Sequence, residues 1–232
     1  MCEEGFYNLV KCTFNMLIYY LEGKNMAFEE YWNDSHKKYF EGKIIYDNWL
    51  DKYKNKISNC KTKILDLGCG EGNDTLYLKE RGYEVISLDY SVYALNIVKK
   101  YIKNSITVLA DISDNLPFED DSFDIIIADL SLHYFDLKTT NRIMKEIKRI
   151  LKKNGCLLAR VNSKDDFNFG CNQGFKIEED YYHVFGYNKR FFNEKSAMEI
   201  FSQIGETKVS KANMLRYSKP KKVLEVISMK NE

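Results

Sequence analysis

Between Lys63 and Gly72 a short apolar run carrying one acid, Ile64-Leu65-Asp66-Leu67, gives way to glycines at positions 68, 70 and 72, and helix-forming residues follow from Asp74. Such a run reads as a buried strand of a parallel sheet that turns tightly into a helix. Glycine is required where the chain takes positive φ or where a ligand must approach bare backbone, and three of them within five residues point to a ligand. The spacing argues against a dinucleotide. Counting G-x-G-x-x-G from Gly68 puts the third small residue at position 73, which is Asn73, whereas the third glycine is Gly72. Asp66 would also repel a pyrophosphate, while it suits a ligand with a cationic end.

Asp66-Leu67-Gly68-Cys69-Gly70-Glu71-Gly72 resembles the first motif of the class I S-adenosylmethionine-dependent methyltransferases, whose ligand carries a sulfonium and an ammonium. The resemblance implies an α/β fold: a doubly wound, seven-stranded, mostly parallel sheet with helices on both faces and the last strand antiparallel. It also implies S-adenosylmethionine as cofactor and S-adenosylhomocysteine as product. A second strand, Tyr83 to Asp89, ends in an acid 17 residues after Gly72. An acid at that distance is placed to accept from a ribose diol, or to cap the following helix through Ser91. A third strand from Ile106 leads to Asp111 and Ile112, which by the resemblance flank adenine; Ile112 reads equally well as core. Leu116-Pro117-Phe118-Glu119-Asp120-Asp121-Ser122-Phe123-Asp124, before the strand Ile125 to Asp129, closely resembles the same family. The expected cofactor shell is therefore Asp66, Gly68, Cys69, Gly70, Gly72, Asp89, Tyr90, Asp111, Ile112, Asp129 and Leu130.

The loop after that fourth strand, Leu130 to Phe135, sits at the carboxyl end of a central strand, where open α/β sheets keep their ligand crevice. His133 in this loop is the candidate general base; a structural role or a cofactor contact is the alternative reading. Leu137 to Lys153 carries Ile143, Ile147, Ile150 and Leu151 on one helical face, with Asn154-Gly155 as the expected C-cap. Cys156 to Asn162 reads as a fifth strand. The expected acceptor pocket draws on Tyr31, Trp32, Tyr134, Arg160, Asn162, Tyr181, Tyr182, Arg190 and Phe192, with Arg190 between aromatic neighbours suited to clamping a carboxylate.

Residues 1–25 read as a peripheral extension, helical or poorly ordered, with Met26 looking like a second beginning. Residues 26–232 then form one methyltransferase domain. In it, 31–58 is an amphipathic helical region that packs on the sheet or, through Tyr31 and Trp32, acts as a lid. Residues 60–163 are the cofactor-binding core, 164–193 an irregular aromatic insert, and 194–232 a helix followed by a terminal hairpin.

Length 232 suits one domain, and 35 Lys+Arg against 34 Asp+Glu leave a formal charge of +1, which offers no global attraction to nucleic acid or an anionic membrane. Six cysteines without a C-x-x-C pair argue against a zinc site and for reduced thiols in a cytoplasmic protein. The apolar stretch Met16 to Leu21 is too short to span a bilayer. The reading that results is methyl transfer to a small-molecule acceptor. Two others stand beside it. One is a tRNA wobble-base methyltransferase, which draws on the basic stretch after Gly205 and a likeness of Tyr182-His183-Val184-Phe185 to a C-terminal element of that kind. The other is a protein that binds the cofactor without turning it over. The sequence names neither the acceptor atom nor an oligomeric state.

Overall fold

The computed structural model describes residues 26–60 and 63–231; the expected extension at 1–25 lies outside them. Strands β1 (Ile64–Leu67), β2 (Val85–Asp89), β3 (Ile106–Leu109), β4 (Phe123–Asp129), β5 (Leu151–Asn162), β9 (Gly205–Arg216) and β10 (Lys219–Lys230) form one sheet in the order β3-β2-β1-β4-β5-β10-β9. Neighbours among β1 to β5 pair in parallel, and β10 runs antiparallel to both β5 and β9. β9 therefore runs with the parallel strands, so β10 alone is reversed.

Alternate residues of the central strands serve opposite faces, as strand geometry requires. Leu65, Leu67, Ile126, Ala128, Leu157 and Ala159 pack with Ile143, Met144, Ile147 and Ile150 of α5 (Leu137–Ile150) and with Phe201 of α6 (Glu194–Phe201). Ile64, Ile125, Ile127 and Leu158 pack the other way, against Trp49, Leu50 and Ile57, and against Tyr77 and Leu78 of α3 (Asn73–Lys79). Helix α5 starts where the Asp136 carboxylate accepts from Thr139 N–H at 2.7 Å, and α6 where Asn193 and Ser196 cap each other reciprocally. α4 (Val92–Tyr101) completes the layer beside β2 and β3.

Four expectations are corrected. Residues 31–58 are not one helix: α1 (Met26–Tyr39) ends before Gly42, whose φ of +78° leaves the helical region, and helix resumes only at a 3-10 turn, Trp49–Tyr53, and the short α2 (Lys54–Ile57). The long helix stops at Ile150. Asn154 (φ +63°) and Gly155 lie within β5, where the register against β4 slips between Phe123 and Ile125. A Cβ on Gly155 would stand 3.0 Å from Asp124 O and 3.1 Å from Phe123 O, so glycine there answers to the neighbouring strand. The insert is not irregular: β6 (Phe175–Glu178), β7 (Tyr181–Val184) and β8 (Tyr187–Arg190) form a three-stranded antiparallel sheet, with Phe185-Gly186, both at positive φ, as the β7–β8 turn. The terminal hairpin is longer than its apolar runs suggested, twelve residues a side around Tyr217-Ser218.

Candidate functional site

Strand order reverses between β1 and β4, and the carboxyl ends of those two strands open a crevice at that switch point. A cavity of about 580 Å³ fills it, a volume in the range of small-molecule sites. Asp66, Gly68, Cys69, Gly70, Asp89, Tyr90, Asp111, Ile112, Asp129 and Leu130 all line it; of the expected cofactor shell, only Gly72 does not.

The three glycines of the turn do different work. All have positive φ: +76° at Gly68, +52° at Gly70 and +88° at Gly72. A Cβ on Gly68 would fall 2.4 Å from Ser131 Cβ, and one on Gly72 would fall 2.9 Å from Val98 Cγ2. Both positions thus answer to the protein's own packing. Gly70 differs, because its nearest neighbour would be His36 Cε1 at 3.4 Å, leaving the backbone open toward the cavity. The turn is held from below by Leu88 O, which accepts from the N–H groups of Gly68 at 2.8 Å and Cys69 at 2.9 Å. Asp89 holds it from the side: one carboxylate oxygen accepts from Gly70 N–H at 2.9 Å, and the other from Ser91 N–H at 2.9 Å. The ribose and capping readings of Asp89 are therefore not exclusive. Its capping role is visible, and a carboxylate with about four acceptor sites keeps capacity for a ligand.

Acids dominate this end of the cavity. Asp66 is buried, accepts from Thr75 Oγ1 at 2.6 Å, and has its pKa pushed up to about 7 by burial, with Asp129 and Asp89 adding repulsion. Asp74, bonded to Trp49 Nε1 at 2.9 Å, is raised well above the ordinary carboxylate range by burial and then by Asp129 and Asp66. Burial also raises Asp89. Carboxylates crowded into a desolvated crevice gain from a positively charged guest. Exposed backbone at Gly70, strand-end acids at 89 and 111, and the negative field together fit a nucleoside with a cationic sulfur and an ammonium.

α1 crosses the mouth of the crevice. His36 Nδ1 lies 3.2 Å from Glu71 Oε1, and Asn33 Oδ1 accepts from Ser91 Oγ at 2.6 Å and Tyr93 N–H at 3.2 Å, tying the helix to the glycine turn and the start of α4. Trp32 lines the cavity edge-on to Tyr134, with ring centroids 4.9 Å apart. Tyr31 is turned away: its ring lies 5.0 Å from Tyr187, outside the cavity lining. Of this pair, then, Trp32 is brought to the cavity and Tyr31 is not.

The rest of the expected acceptor pocket also divides. Tyr134 and Arg160 line the cavity, but Arg160 is committed: it grips both oxygens of Asp129 at 2.6 and 2.7 Å and reaches Asp47 at 2.6 Å. Asn162, Tyr181, Tyr182, Arg190 and Phe192 are not brought to the cavity. Arg190 is paired with Glu178 and donates to Glu179 O at 3.2 Å and Phe135 O at 3.3 Å, so its charge anchors the three-stranded sheet. The Tyr181 hydroxyl donates to Tyr134 O at 2.9 Å, Tyr182 reaches Asn172, Phe192 lies in the main core, and Asn162 is occupied by Lys221 at 2.7 Å.

His133 is corrected as well. Its ring is 2 % exposed and outside the cavity lining, and its backbone oxygen accepts from Arg190 N–H at 2.7 Å. Burial, then Lys221, Lys189 and Arg216, push its pKa well below the usual value, which keeps the ring neutral and makes it a weak proton acceptor. Sequence reasoning missed Tyr39, Arg216 and Tyr217. The tip of the β9–β10 hairpin enters the cavity lining beside Tyr39 at the end of α1, with the Tyr39 and Tyr217 rings 5.4 Å apart. Nothing local in the sequence announces this meeting, since the two tyrosines come from opposite ends of the described chain.

Residues 65–159 match a family described as a methyltransferase domain. Among curated relatives, a putative methyltransferase of Bacillus subtilis, YqeM, is 32% identical over 124 residues, covering 51% of this chain and 49% of the relative. A demethylmenaquinone methyltransferase of Bacillus velezensis is 30% identical over 161 residues, covering 66% and 65% respectively. The chain spans about half the length of the first relatives it matches, 43% and 49%. Among solved structures, an S-adenosylmethionine-dependent methyltransferase of Methanosarcina mazei superposes with a TM-score of 0.60 at 22% identity, over 73% of this chain and 92% of that one. The 1,6-didemethyltoxoflavin-N1-methyltransferase of Burkholderia thailandensis, solved with its acceptor and S-adenosylhomocysteine, superposes at 0.59 with 15% identity, over 100% and 92%. Residues 65–159 thus match a methyltransferase domain, and the fold is the one seen in S-adenosylmethionine-dependent methyltransferases.

Proposed function

We propose that this chain moves the methyl group of S-adenosylmethionine to a small-molecule acceptor by in-line displacement. The observation that carries the reading is the cavity itself: it runs from the acidic glycine-turn end to an aromatic end bordered by Tyr39 and Tyr217. A space of that volume suits a small acceptor, and the near-zero net charge speaks against a polynucleotide, because phosphate contacts dominate nucleic-acid affinity. Two similar proteins are named for small acceptors, demethylmenaquinone and 1,6-didemethyltoxoflavin.

The cofactor supplies an electrophilic methyl on a sulfonium with a good leaving group. The residues supply position and exclusion of water. The open backbone at Gly70 and the carboxylates of Asp89 and Asp111 hold the nucleoside side, while Asp66 and Asp129 favour the positive end. Trp32 and Tyr134, with Tyr39 and Tyr217 at the cavity edge, hold the acceptor. Holding donor and acceptor in line can lower such a barrier by several kcal/mol. A thiolate or neutral amine acceptor needs no base, and His133 is not placed to act as one. A cytoplasmic setting suits Cys69, Cys156 and Cys171, which are thiols rather than disulfides. Among the described residues, no helix is long and apolar enough to cross a membrane.

The test is transfer of labelled methyl from S-adenosylmethionine to a metabolite extract and, in parallel, to bulk tRNA. Label in the small-molecule fraction is the expected result. Label confined to tRNA would move the assignment to the wobble-base reading. Tight S-adenosylhomocysteine binding with no transfer to either would leave a cofactor-binding protein without turnover.

A further inference from the structure

Two arginines line the cavity, and their circumstances are opposite. Arg160 is neutralised by Asp129 and Asp47. Arg216, at the end of β9, has no carboxylate within ion-pair distance among the described residues; its one hydrogen bond is a long 3.4 Å contact to the hydroxyl of Tyr217, whose ring lies 4.9 Å from the guanidinium carbon.

Behind it the surroundings are cationic. Lys189 and Lys221 are each 4 % exposed. Lys221 is met by Asp166 and Asn162, both at 2.7 Å, whereas Lys189 has a single carbonyl partner, Phe169 O at 3.1 Å, and the face of Tyr187 at 4.3 Å. Burial lowers the pKa of both ammonium groups, and Arg216 lowers each further, which places the guanidinium within electrostatic reach of the pair. The acids in the same region, Asp129 and Asp166, are already engaged by Arg160 and Lys221. One half-buried guanidinium is therefore left facing the cavity, which the exposed Lys43 also lines. Four aromatic rings line the same cavity, Trp32 against Tyr134 and Tyr39 against Tyr217.

A fixed guanidinium beside aromatic faces, in a space otherwise rich in acid, selects a planar guest with one anionic group. We infer that the methyl acceptor is an aromatic or conjugated ring compound bearing a carboxylate or an equivalent anion, that this anion pairs with Arg216, and that Arg216 is the specificity-determining residue of the acceptor site. The inference deepens the small-molecule methyltransferase reading and rests on it.

The experiment uses the full chain saturated with S-adenosylhomocysteine and titrates matched probes by calorimetry: benzoate, salicylate and indole-3-acetate, each against its primary amide. The wild-type protein should bind at least one carboxylate about tenfold to a hundredfold more tightly than its amide, the range expected of a charge-assisted hydrogen bond formed out of water. Arg216→Gln should erase that preference and leave S-adenosylhomocysteine affinity within about twofold of wild type; Arg216→Lys should keep part of the preference, since charge survives without the planar fork. No carboxylate preference anywhere in the panel overturns the inference, as does a preference that survives in Arg216→Gln. A fall in S-adenosylhomocysteine affinity in Arg216→Gln also overturns it, because the guanidinium would then serve the cofactor's own carboxylate. Wild-type protein that binds no S-adenosylhomocysteine refutes the methyltransferase reading itself, and the two failures are told apart in one set of titrations.

Discussion

Gly68→Ala should unfold this protein more readily than it harms ligand binding. At φ +76° an L-residue costs about 1–2 kcal/mol. The added methyl would also fall 2.4 Å from Ser131 Cβ and 3.1 Å from Ile112 Cδ1, and overpacking of that kind costs about 1–3 kcal/mol more. The expected loss is about 2–5 kcal/mol, read as a shift in the urea midpoint at constant slope. Ser131→Gly removes the obstructing atom; alone it should cost about 1–2 kcal/mol, since Ser131 Oγ donates to Leu67 O at 2.6 Å and glycine adds backbone freedom. If the collision is real, the double variant is at least about 1 kcal/mol more stable than the sum of the two losses predicts. Additivity within about 0.5 kcal/mol would refute the reasoning, because it would mean that the two positions do not meet. Gly70→Ala is the contrasting arm. With 3.4 Å to its nearest neighbour it should lose only the left-handed cost of about 1–2 kcal/mol, while S-adenosylhomocysteine affinity falls by tenfold or more.

Asp66 makes stability fall with rising pH. Its folded pKa of about 7 lies above the ordinary 3.8, so the folded state holds the extra proton between those values and stability is lost as pH rises from about 4 to 7, by up to about 4 kcal/mol. Asp66→Asn should flatten the urea-midpoint profile over that window, and an unchanged slope would reject the assignment. Asp89→Ala should weaken S-adenosylhomocysteine binding about tenfold and also destabilise the turn by about 1–3 kcal/mol through the lost Gly70 and Ser91 bonds, separable by calorimetry and denaturation. Replacing Tyr217-Ser218, at φ +50° and +58°, by Asn-Gly supplies the residues this hairpin turn prefers; melting temperature should rise by about 2–4 °C while acceptor binding weakens, and a lower melting temperature would contradict the turn geometry.

The nucleotide-binding half was readable because each of its strands is a short apolar run closed by an acid, and each acid lands at the same end of the sheet. The stripe on α5 was readable for a similar reason, since Ile143, Ile147 and Ile150 keep helical spacing. Asn154-Gly155 misled because a left-handed asparagine followed by glycine suits a helix cap and a strand irregularity equally; pairing with β4, which is not local, decides between them. Arg190 and Arg216 both sit beside aromatic residues, and sequence cannot say which of them has an acid within reach. Folding gives Arg190 the carboxylate of Glu178 and leaves Arg216 facing the cavity. His133 was placed correctly at a strand's carboxyl end, but a loop residue there can point either way, and its backbone bond to Arg190 accompanies an inward ring.

Strand β10 lies between β5 and β9 although it follows both in the chain. On a ribosome, then, β9 emerges with no sheet neighbour and must wait for β10 to wedge in beside it. Arg216 and Tyr217 are carried into place by that late insertion, so the nascent chain can assemble the glycine-turn end of the cavity before the end proposed to choose the acceptor exists.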